Sequence, residues 1–237
     1  MNFLELIEHT REIIKIAVEQ HSPTAVYCSW GKDALVVTDI ARRMYRKIQI
    51  VTILTPMKPV ETRELMMYHS ANLNLNVDVY ESDQVPIDGL WLTDPKRCCD
   101  IFKVEPRDRS MIELDLKSWI TGVRKDEGPT REEFQEIEEY KDGMMKFNPI
   151  LLWSEADVWR YLAVRRLMAH PYYELGARSI GCKCCTNFNV DIKGPERAGR
   201  WDGTEKAGKE CGFHDICQRL RGTNIEGSQA IQQPWIS

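Results

Sequence analysis

The sequence predicts an α/β fold, in which a Rossmann-like parallel-sheet domain is flanked by helices and followed by a mobile C-terminal tail. Two observations support this fold class. β-Prone runs at 24–27, 48–54 and 75–80 alternate with segments of helical periodicity, and strands that alternate with helices of about ten to fifteen residues build the βαβ units of a parallel sheet. After about Asn187 the apolar pattern ends and the sequence becomes polar and rich in glycine, which is typical of loops.

The individual elements follow from periodicity and capping. Residues 3–18 repeat apolar positions at helical spacing and predict an amphipathic helix. Further helices are expected at about 34–45, at 60–73 and after the capping sequence that begins at Ser154. Later strands are expected at 118–121 and 145–150. We therefore divide the chain into a binding domain, residues 1–190, and a tail, residues 191–237.

Composition narrows the classes of partner. Hydrophobic residues make up 43% of the 237 residues, which is ordinary for a chain that buries a sizeable core. The net charge of −4 argues against bulk attraction to nucleic acid, so an anion site has to be local. The N-terminal helix mixes charged with apolar positions, unlike a signal peptide, and the sequence lacks the run of about 18 apolar residues that a membrane span needs. We expect a cytoplasmic protein with no nucleic-acid and no membrane partner.

An anion site is predicted where the first strand meets the second helix, in Ser29-Trp-Gly-Lys-Asp33. Gly31 permits close backbone approach, the helix N-terminus favours negative charge, and Lys32 adds a positive charge. The alternative is an ordinary tight turn with a surface lysine. The stretch is not a Walker A motif. It resembles the Ser-Gly-Gly-Lys-Asp-Ser pyrophosphate loop of the adenine-nucleotide α-hydrolase-like superfamily, with Trp30 at the first Gly and Ala34 at the final Ser.

A second anion site and a nucleophile are predicted in the tail. Arg197 and Arg200 can grip one oxyanion with their planar guanidinium groups. Cys211 lies between Lys209 and His214, and cations near a thiol stabilise its nucleophilic thiolate form. We therefore expect a mobile, cationic segment whose thiol attacks an anionic substrate held elsewhere. The alternative is a basic, solvated tail with an incidental thiol.

The eight cysteines are clustered, which favours metal or redox chemistry over a disulfide framework. Cys98-Cys99 and Cys182-x-x-Cys185 provide four thiols in two pairs, a pattern open to a [4Fe–4S] cluster, to zinc or to no metal. Adjacent cysteines fit separate corners of an iron–sulfur cube more easily than one tetrahedral ion. Cys184 could replace Cys185 as a ligand, but Cys-x-x-Cys is the better chelating spacing.

With these residues in view, the chain resembles the assimilatory adenylyl-sulfate and phosphoadenylyl-sulfate reductases of the iron–sulfur type, over about residues 24–214. The motifs that carry the resemblance are Arg97-Cys-Cys-Asp-Ile-Phe-Lys-Val-Glu-Pro106, Trp119-Ile-Thr-Gly-Val-Arg124, Asn148-Pro-Ile-Leu-Leu-Trp-Ser-Glu-Ala-Asp-Val-Trp159, Ser179-Ile-Gly-Cys-Lys-Cys-Cys-Thr186 and Lys209-Glu-Cys-Gly-Phe-His214. Their order along the chain is that of the family.

The resemblance implies a set of site residues. A [4Fe–4S] cluster is expected on Cys98, Cys99, Cys182 and Cys185. The candidate catalytic residues are Cys211 as nucleophile, His214 and Lys103. The candidate substrate-binding residues are Ser29, Gly31, Lys32, Asp33, Arg124, Arg197 and Arg200.

The implied activity is thiol-dependent reduction of adenylyl sulfate or phosphoadenylyl sulfate to sulfite in sulfate assimilation, through an S-sulfonated Cys211. Thioredoxin or a similar thiol is the expected donor, and a homo-oligomer is expected. The cluster is expected to act through positioning and charge, because two thiols already balance the chemistry. The rival hypotheses are a pyrophosphate-loop ATP enzyme of the tRNA-thiolation type and a non-catalytic iron–sulfur redox sensor.

Several positions depart from the family pattern. Phe102 stands where Arg is usual, Arg107 stands where Leu is usual, and Lys183 and Cys184 fill a Cys-x-x-Cys interior that commonly holds Pro. The segment 55–62 only loosely matches the family's Thr-Gly-x-x-Phe-Pro-Glu-Thr. These departures leave open which of the two nucleotides is preferred.

Overall fold

The computed structural model describes residues 1–140, 143–188, 193–210 and 213–214. The strands are β1 (Thr24–Tyr27), β2 (Gln49–Ile53), β3 (Asn76–Tyr80), β4 (Ser118–Ile120), β5 (Ile137–Glu139) and β6 (Met145–Phe147). They form a six-stranded sheet in the spatial order β3-β2-β1-β4-β6-β5. Neighbouring strands are parallel, except that β5 runs antiparallel to β6. The predicted α/β class with a parallel sheet is confirmed.

Helices connect and cover the strands. The α-helices are α1 (Phe3–Gln20), α2 (Lys32–Met44), α3 (Val60–Leu73), α4 (Leu90–Thr93), α5 (Pro95–Cys99), α6 (Glu105–Glu113) and α7 (Glu155–Arg165). A π-helical turn, Asp100–Val104, joins α5 to α6, and short 3-10 turns occupy Lys125–Glu127, Pro129–Arg131, Pro171–Tyr173 and Lys183–Cys185. The predicted capping sequence at Ser154 forms a capping box, in which Ser154 and Asp157 exchange hydrogen bonds at the start of α7.

The two faces of the sheet bury different cores, as β1 illustrates. Val26 points into the larger core, where it joins Leu35 of α2. Its neighbours Ala25 and Tyr27 belong to a second core with Met111 of α6. Successive residues of a strand point to opposite faces, so the sheet carries α2 on one side and α6 on the other. Burial on both faces explains why the sequence of β1 is apolar without alternation.

The strand order creates a crevice in the middle of the sheet. From β1 the chain proceeds to β2 and β3 on one side, and then returns to β4 on the other side. Ligands bind at such a topological switch point, at the carboxyl ends of the strands. Gly122 follows β4 there, and a Cβ on Gly122 would lie 2.8 Å from the backbone N of Ala34 and from the backbone C of Asp33. Only glycine allows the end of β4 to approach the first turn of α2 so closely.

The predicted tail packs onto the sheet domain over residues 193–210. Glu196, Trp201 and Glu210 are buried there, and Thr186 forms a β-bridge with Arg200. Buried ion pairs and an indole ring hold this part of the tail against the sheet domain. The predicted boundary at residue 190 stays a prediction. Within the described chain, the helices are too short or too polar to cross a membrane.

Candidate active site

A pocket of about 170 Å³ lies at the switch point, beyond the ends of β1 and β4. The loop after β1 contributes Ser29, Gly31 and Asp33 to its wall, and the loop after β4 contributes Thr121, Gly122 and Val123. Basic and imidazole side chains from outside the sheet complete the lining: Lys58, Lys103, Arg131, Arg197, Arg200 and His214. The sequence-predicted residues from the loop, from the Cys98–Pro106 region and from the tail thus meet at one pocket.

A buried ion-pair network holds the loop after β1. The Lys32 ammonium contacts the carboxylates of Asp33 and Glu196. Arg124 donates to Asp33 from Nε and to Glu196 from Nη2, each at 2.6 Å. The side chains of Lys32 and Arg124 are fully buried. Burial opposes the charged form of Lys32, but Asp33, Tyr173 and Glu196 more than offset it and raise the pKa of Lys32.

Lys32 and Arg124, two of the predicted substrate-binding residues, pair with carboxylates in this network and do not line the pocket, and their contact with the substrate stays a prediction. The positive charges of Lys32 and Arg124 are each neutralised by the carboxylates of Asp33 and Glu196. If one of these partners were removed, a buried charge would be left uncompensated. The two cations therefore anchor Asp33 and Glu196, and through Glu196 they anchor the tail. Asp33, with 14% of its side chain exposed, is the member of the network that reaches the pocket.

Arg200 presents its guanidinium to the same pocket from a slot of backbone carbonyls. It donates to the carbonyl oxygens of Cys185 and Ile180, each at 3.3 Å. Gly181 provides the space, because a Cβ there would lie 2.2 Å from Nη2 of Arg200. Among the described residues no carboxylate pairs with Arg200. Its positive charge is therefore available to an anion in the pocket.

Arg197, the second predicted arginine, has a carboxylate partner. It donates to Oε1 of Glu210 at 3.0 Å, and Arg131 donates to the same carboxylate from Nε at 3.1 Å. Burial alone would raise the pKa of Glu210, but Arg131 and Arg197 hold it well below its usual value. This shared carboxylate fixes the residue that immediately precedes Cys211.

The segment after Cys211 is also fixed beside the pocket. The carbonyl oxygen of Phe213 accepts a hydrogen bond from Nη1 of Arg107 at 2.7 Å, and its ring packs edge-on against Tyr27 and Trp119. Arg107 is one of the departures from the family pattern, and its side chain is fully buried. The arginine at this position therefore has a structural reason. Cys211 itself lies outside the described residues.

His214 stacks on Trp119, with ring centroids 6.3 Å apart. Burial lowers the pKa of His214 well below its usual value, and the positive charges of Lys146 and Arg131 lower it further. The imidazole is therefore neutral near pH 7. The role of His214 at the thiolate of Cys211 stays a prediction. The cations that contact the described residues on either side of Cys211 are Arg131 and Arg197 at Glu210 and Arg107 at Phe213.

A second cavity contains the four predicted ligand cysteines. Cys98, Cys99, Cys182 and Cys185 are all buried and line it together. Cys98 and Cys99 come from the end of α5, just before the π-helical turn, a feature that is frequent at functional sites. No disulfide joins the cysteines that the structure describes. Burial, and then Cys182 and Cys185, raise the pKa of Cys98 to about 11.

The spacing of these sulfurs favours a multinuclear centre over one ion. Around a single zinc ion, with bonds of about 2.3 Å, the ligand sulfurs lie about 4 Å apart. Among the described residues, Asp33, Glu127 and Glu196 form a group of three potential metal ligands whose ligand atoms lie within 4.8 Å of one another. No cysteine of the described chain belongs to a group of this kind. These three carboxylates are already paired with buried lysine and arginine side chains.

Cys184 lies at the edge of the cysteine cavity. It is half-buried, its sulfur is 3.7 Å from that of Cys185, and it packs against the group formed by Cys99, Cys182 and Cys185. Cys185, in contrast, is buried and lines the cavity. This placement supports the choice of Cys185 over Cys184 as a ligand, which stays a prediction.

Lys103 connects the two cavities, since it lines both of them. It lies in the π-helical turn that follows the adjacent cysteines. Phe102, where the family pattern has Arg, is buried and lines the cysteine cavity with an apolar ring. The pocket at the switch point and the cysteine cavity are therefore neighbours with a lysine between them.

The buried acids that organise the site were not predicted from the sequence. Glu196 and Glu210 lie directly beside the predicted residues Arg197 and Cys211. An acidic residue next to a predicted site residue could have indicated an ion pair at the site. The sequence does not show which cation each acid contacts. Lys32, for example, pairs with a glutamate 164 positions away.

Comparison with known proteins gives a consistent family. The sequence profile of the phosphoadenosine phosphosulfate reductase domain matches residues 23–188. An adenosine 5'-phosphosulfate reductase of Lysinibacillus sphaericus is 29% identical over 223 residues, which are 89% of this chain and 93% of that protein. Adenosine 5'-phosphosulfate reductase 2 of Bacillus subtilis is 30% identical over 213 residues, which are 86% of this chain and 88% of that protein.

Solved structures show the same fold. The phosphoadenylyl-sulfate reductase of Candida auris aligns with a TM-score of 0.66 at 22% identity, over 76% of this chain and 94% of that one. The FMN adenylyltransferase of Candida glabrata aligns with a TM-score of 0.62 at 17% identity, over 92% of this chain and 80% of that one. At these identities the likeness concerns the fold alone.

Proposed function

The chain belongs to the phosphoadenosine phosphosulfate reductase domain family, and on this premise we propose that it is an oxidoreductase of sulfate assimilation. It reduces adenylyl sulfate, or its 3'-phosphorylated form, to sulfite. The other product is AMP or adenosine 3',5'-bisphosphate. The names of the curated relatives support adenylyl sulfate as the substrate class, and the phosphoadenylyl-sulfate reductase among the solved structures keeps the second nucleotide open.

One observation carries the proposal: the guanidinium of Arg200 lines a pocket at the switch point of the sheet, without a carboxylate partner among the described residues. A positive charge placed in this way needs an anionic ligand. Lys103 and Arg197 line the same pocket. The three side chains suit the phosphosulfate, while the glycine-containing turn after β1 allows the backbone to approach the nucleotide.

The first chemical step joins the tail to this pocket. The thiolate of Cys211 attacks the sulfur of the bound phosphosulfate. A bond forms between Sγ and the sulfate sulfur, the bond from that sulfur to the bridging oxygen breaks, and the nucleotide leaves with the electron pair. Lys103, Arg197 and Arg200 offset the repulsion between an anionic nucleophile and an anionic substrate. Glu210 and Phe213, which are fixed on either side of this motif, support the assignment of Cys211.

The second step releases sulfite by thiol exchange. One thiol of a dithiol donor, thioredoxin or a similar protein, attacks Sγ of the S-sulfonated Cys211, and sulfite leaves with the electron pair of the S–S bond. The second thiol of the donor then attacks the mixed disulfide and regenerates Cys211. The donor supplies the two electrons and ends as a disulfide, so the reaction balances without electron transfer through a metal.

The cysteine cavity fits the proposed [4Fe–4S] cluster. Four buried thiols line it, their sulfurs are spread more widely than one ion requires, and the ammonium of Lys206 is buried near them without a hydrogen-bond partner among the described residues. Cys98, Cys99, Cys182 and Cys185 would hold the cluster, which would supply a fixed local charge beside the substrate pocket. Lys103 lies between the two. We further propose a cytoplasmic homo-oligomer.

A product assay tests the function. The anaerobically purified protein, supplied with adenylyl sulfate and reduced thioredoxin, should release sulfite and AMP in equal amounts. Phosphoadenylyl sulfate in a parallel reaction, and in competition with adenylyl sulfate, identifies the preferred nucleotide. A third reaction contains ATP and measures pyrophosphate release, which tests the alternative that the protein is an adenylating ATP enzyme. Pyrophosphate release from ATP, with no sulfite from either phosphosulfate, would overturn the proposal.

A further inference from the structure

Lys206 is a buried cation whose charge the described part of the chain does not neutralise. The residue is 5% exposed, and its Nζ has no hydrogen-bond partner among the described residues. Other fully buried lysines of this protein have carboxylate partners: Lys32 contacts Glu196, and Lys146 contacts Glu138. An unpaired ammonium is unfavourable in a protein interior. Its burial therefore indicates an anion that these contacts do not include.

The contacts of Lys206 point to the cysteine cavity. Its Nζ lies 5.3 Å from the centre of the Trp201 ring. That ring is buried in one apolar group with Cys99, Cys182 and Cys185, and the backbone N–H of Trp201 donates to the carbonyl oxygen of Cys185 at 3.2 Å. The Lys206 ammonium also interacts electrostatically with the Cys98 thiol.

The positive charge around Trp201 strengthens the case. The guanidinium carbons of Arg200 and Arg197 lie 4.6 Å and 5.7 Å from the same ring centre, so three cations surround one indole. Attraction between a cation and a ring is modest, and three like charges repel one another. Arg197 is paired with Glu210 and Arg200 lines the pocket at the switch point, whereas Lys206 does neither.

We propose that Lys206 is a positioning cation for the metal centre held by the four cysteines: it neutralises part of their negative charge from its place beside the Trp201 ring. The inference rests on the proposed cluster and concerns a residue outside the motifs that carry the family resemblance. Lys103 and Lys206 both interact electrostatically with Cys98. Lys206 differs from Lys103 in that it does not line the substrate pocket.

The test compares three lysine variants of the anaerobically purified holoprotein. Lys206→Met keeps the length and removes the charge, and Lys206→Arg keeps the charge. Lys183→Met removes an exposed lysine next to a ligand cysteine, where water screens the charge. The readouts are iron and labile sulfide per chain, the rate of iron loss to a chelator, and the midpoint potential of the metal centre.

Lys206→Met should lose iron roughly tenfold faster than the wild type, which is typical when a group that supports metal ligands is removed. Its midpoint potential should become more negative, because a nearby positive charge stabilises the reduced state. Lys206→Arg and Lys183→Met should stay within about twofold of the wild type. If Lys206 served only in packing, the midpoint potential of Lys206→Met would equal that of the wild type. The rate of iron loss would then change only if the stability of the fold changed with it.

Equal iron loss and equal midpoint potentials in Lys206→Met and the wild type would overturn the inference. So would a Lys206→Met protein that fails to fold, because the residue would then serve the fold itself. A wild-type protein that carries zinc or no metal would instead overturn the proposed cluster. The two failures are therefore distinguishable.

Discussion

Arg200 donates a hydrogen bond from Nε to the carbonyl oxygen of Cys185, at 3.3 Å. One residue thus lines the substrate pocket while it holds the backbone of a predicted cluster ligand. Because the two cavities share this wall, a change in the cysteine segment should be felt in the pocket.

Arg200→Ala should weaken the binding of adenylyl sulfate. Loss of a charged hydrogen bond costs about 1.5–3 kcal/mol, and the dissociation constant should rise accordingly, as measured by calorimetry with the nucleotide. Arg46→Ala, which changes an exposed arginine, is the control for net charge.

Gly181→Ala provides a second route to the same effect. The added Cβ would meet Nη2 of Arg200 at 2.2 Å and push the guanidinium out of its slot. The double variant should bind no worse than Arg200→Ala, because both changes act through one group. Unchanged binding in Arg200→Ala would show that this arginine only packs against Trp201.

Cys185→Ser should lose the iron, whereas Cys184→Ser should keep it. The expectation follows from burial, because Cys185 lines the cysteine cavity and Cys184 is half-buried at its edge. The measurement is iron and labile sulfide after anaerobic purification, with about four of each per chain in the wild type and in Cys184→Ser. Loss of iron in Cys184→Ser but not in Cys185→Ser would show that Cys184, and not Cys185, is the ligand. Stoichiometric zinc in the wild type would exclude the cluster.

Trp30→Gly should destabilise the protein, although it restores the glycine of the superfamily loop. Trp30 has φ of 65°, and relief of this left-handed conformation is worth about 1–2 kcal/mol. The ring, however, is fully buried, stacks on His69 and donates to Thr52, and loss of a buried tryptophan costs about 3–5 kcal/mol. Urea unfolding should therefore show a net loss of about 1–4 kcal/mol. A variant as stable as the wild type would show that the loop repacks.

His170 should make stability depend on pH. Burial, and then the charge of Lys58, lower the pKa of His170 to about 4, below the 6.5 of an unfolded histidine. Its Nδ1 accepts from the N–H of Tyr172, which also requires the neutral ring. As the pH falls below 6.5 the unfolded state binds the proton first, so the free energy of unfolding decreases until about pH 4.

The contribution of His170 between pH 7 and pH 5 should be about 2 kcal/mol. Urea unfolding of the wild type and of His170→Asn at both pH values measures it as the difference between their two pH dependences. His69 and His214, whose pKa values burial also lowers, remain in both proteins and cancel. Equal pH dependence in the two proteins would contradict the assignment.

Local patterns in the sequence were sufficient for much of the fold. β1 and α3 begin and end at the predicted residues, because turn residues bound β1 and helical periodicity fills α3. β5 was missed, since Ile137-Glu138-Glu139 contains no apolar run. Its central glutamate is buried by an ion pair with Lys146 of the neighbouring strand, and a partner on another strand has no signature in local sequence.

The site could be predicted as a set of residues but not as a set of contacts. Lys103, Arg197 and Arg200 line one pocket, and their roles toward the substrate stay predictions. The sequence could not show that Lys32 is neutralised by Glu196 or that His214 is neutral, because both depend on burial by distant segments. A charged residue in a motif indicates that the residue has a partner of opposite charge. Whether that partner is the substrate or a carboxylate of the protein depends on the fold.

The most direct measurement of the central claim is the trapping of an adduct on Cys211. The protein, incubated with adenylyl sulfate and no thiol donor, should gain one sulfonate per chain by mass spectrometry and then stop, because the S-sulfonate has no thiol to displace it. Peptide mapping should locate the group on Cys211, and reduced thioredoxin should release it as sulfite. Cys211→Ser should keep the iron and the nucleotide affinity but form no adduct. A sulfonate on another cysteine, or sulfite release by Cys211→Ser at the wild-type rate, would contradict the account.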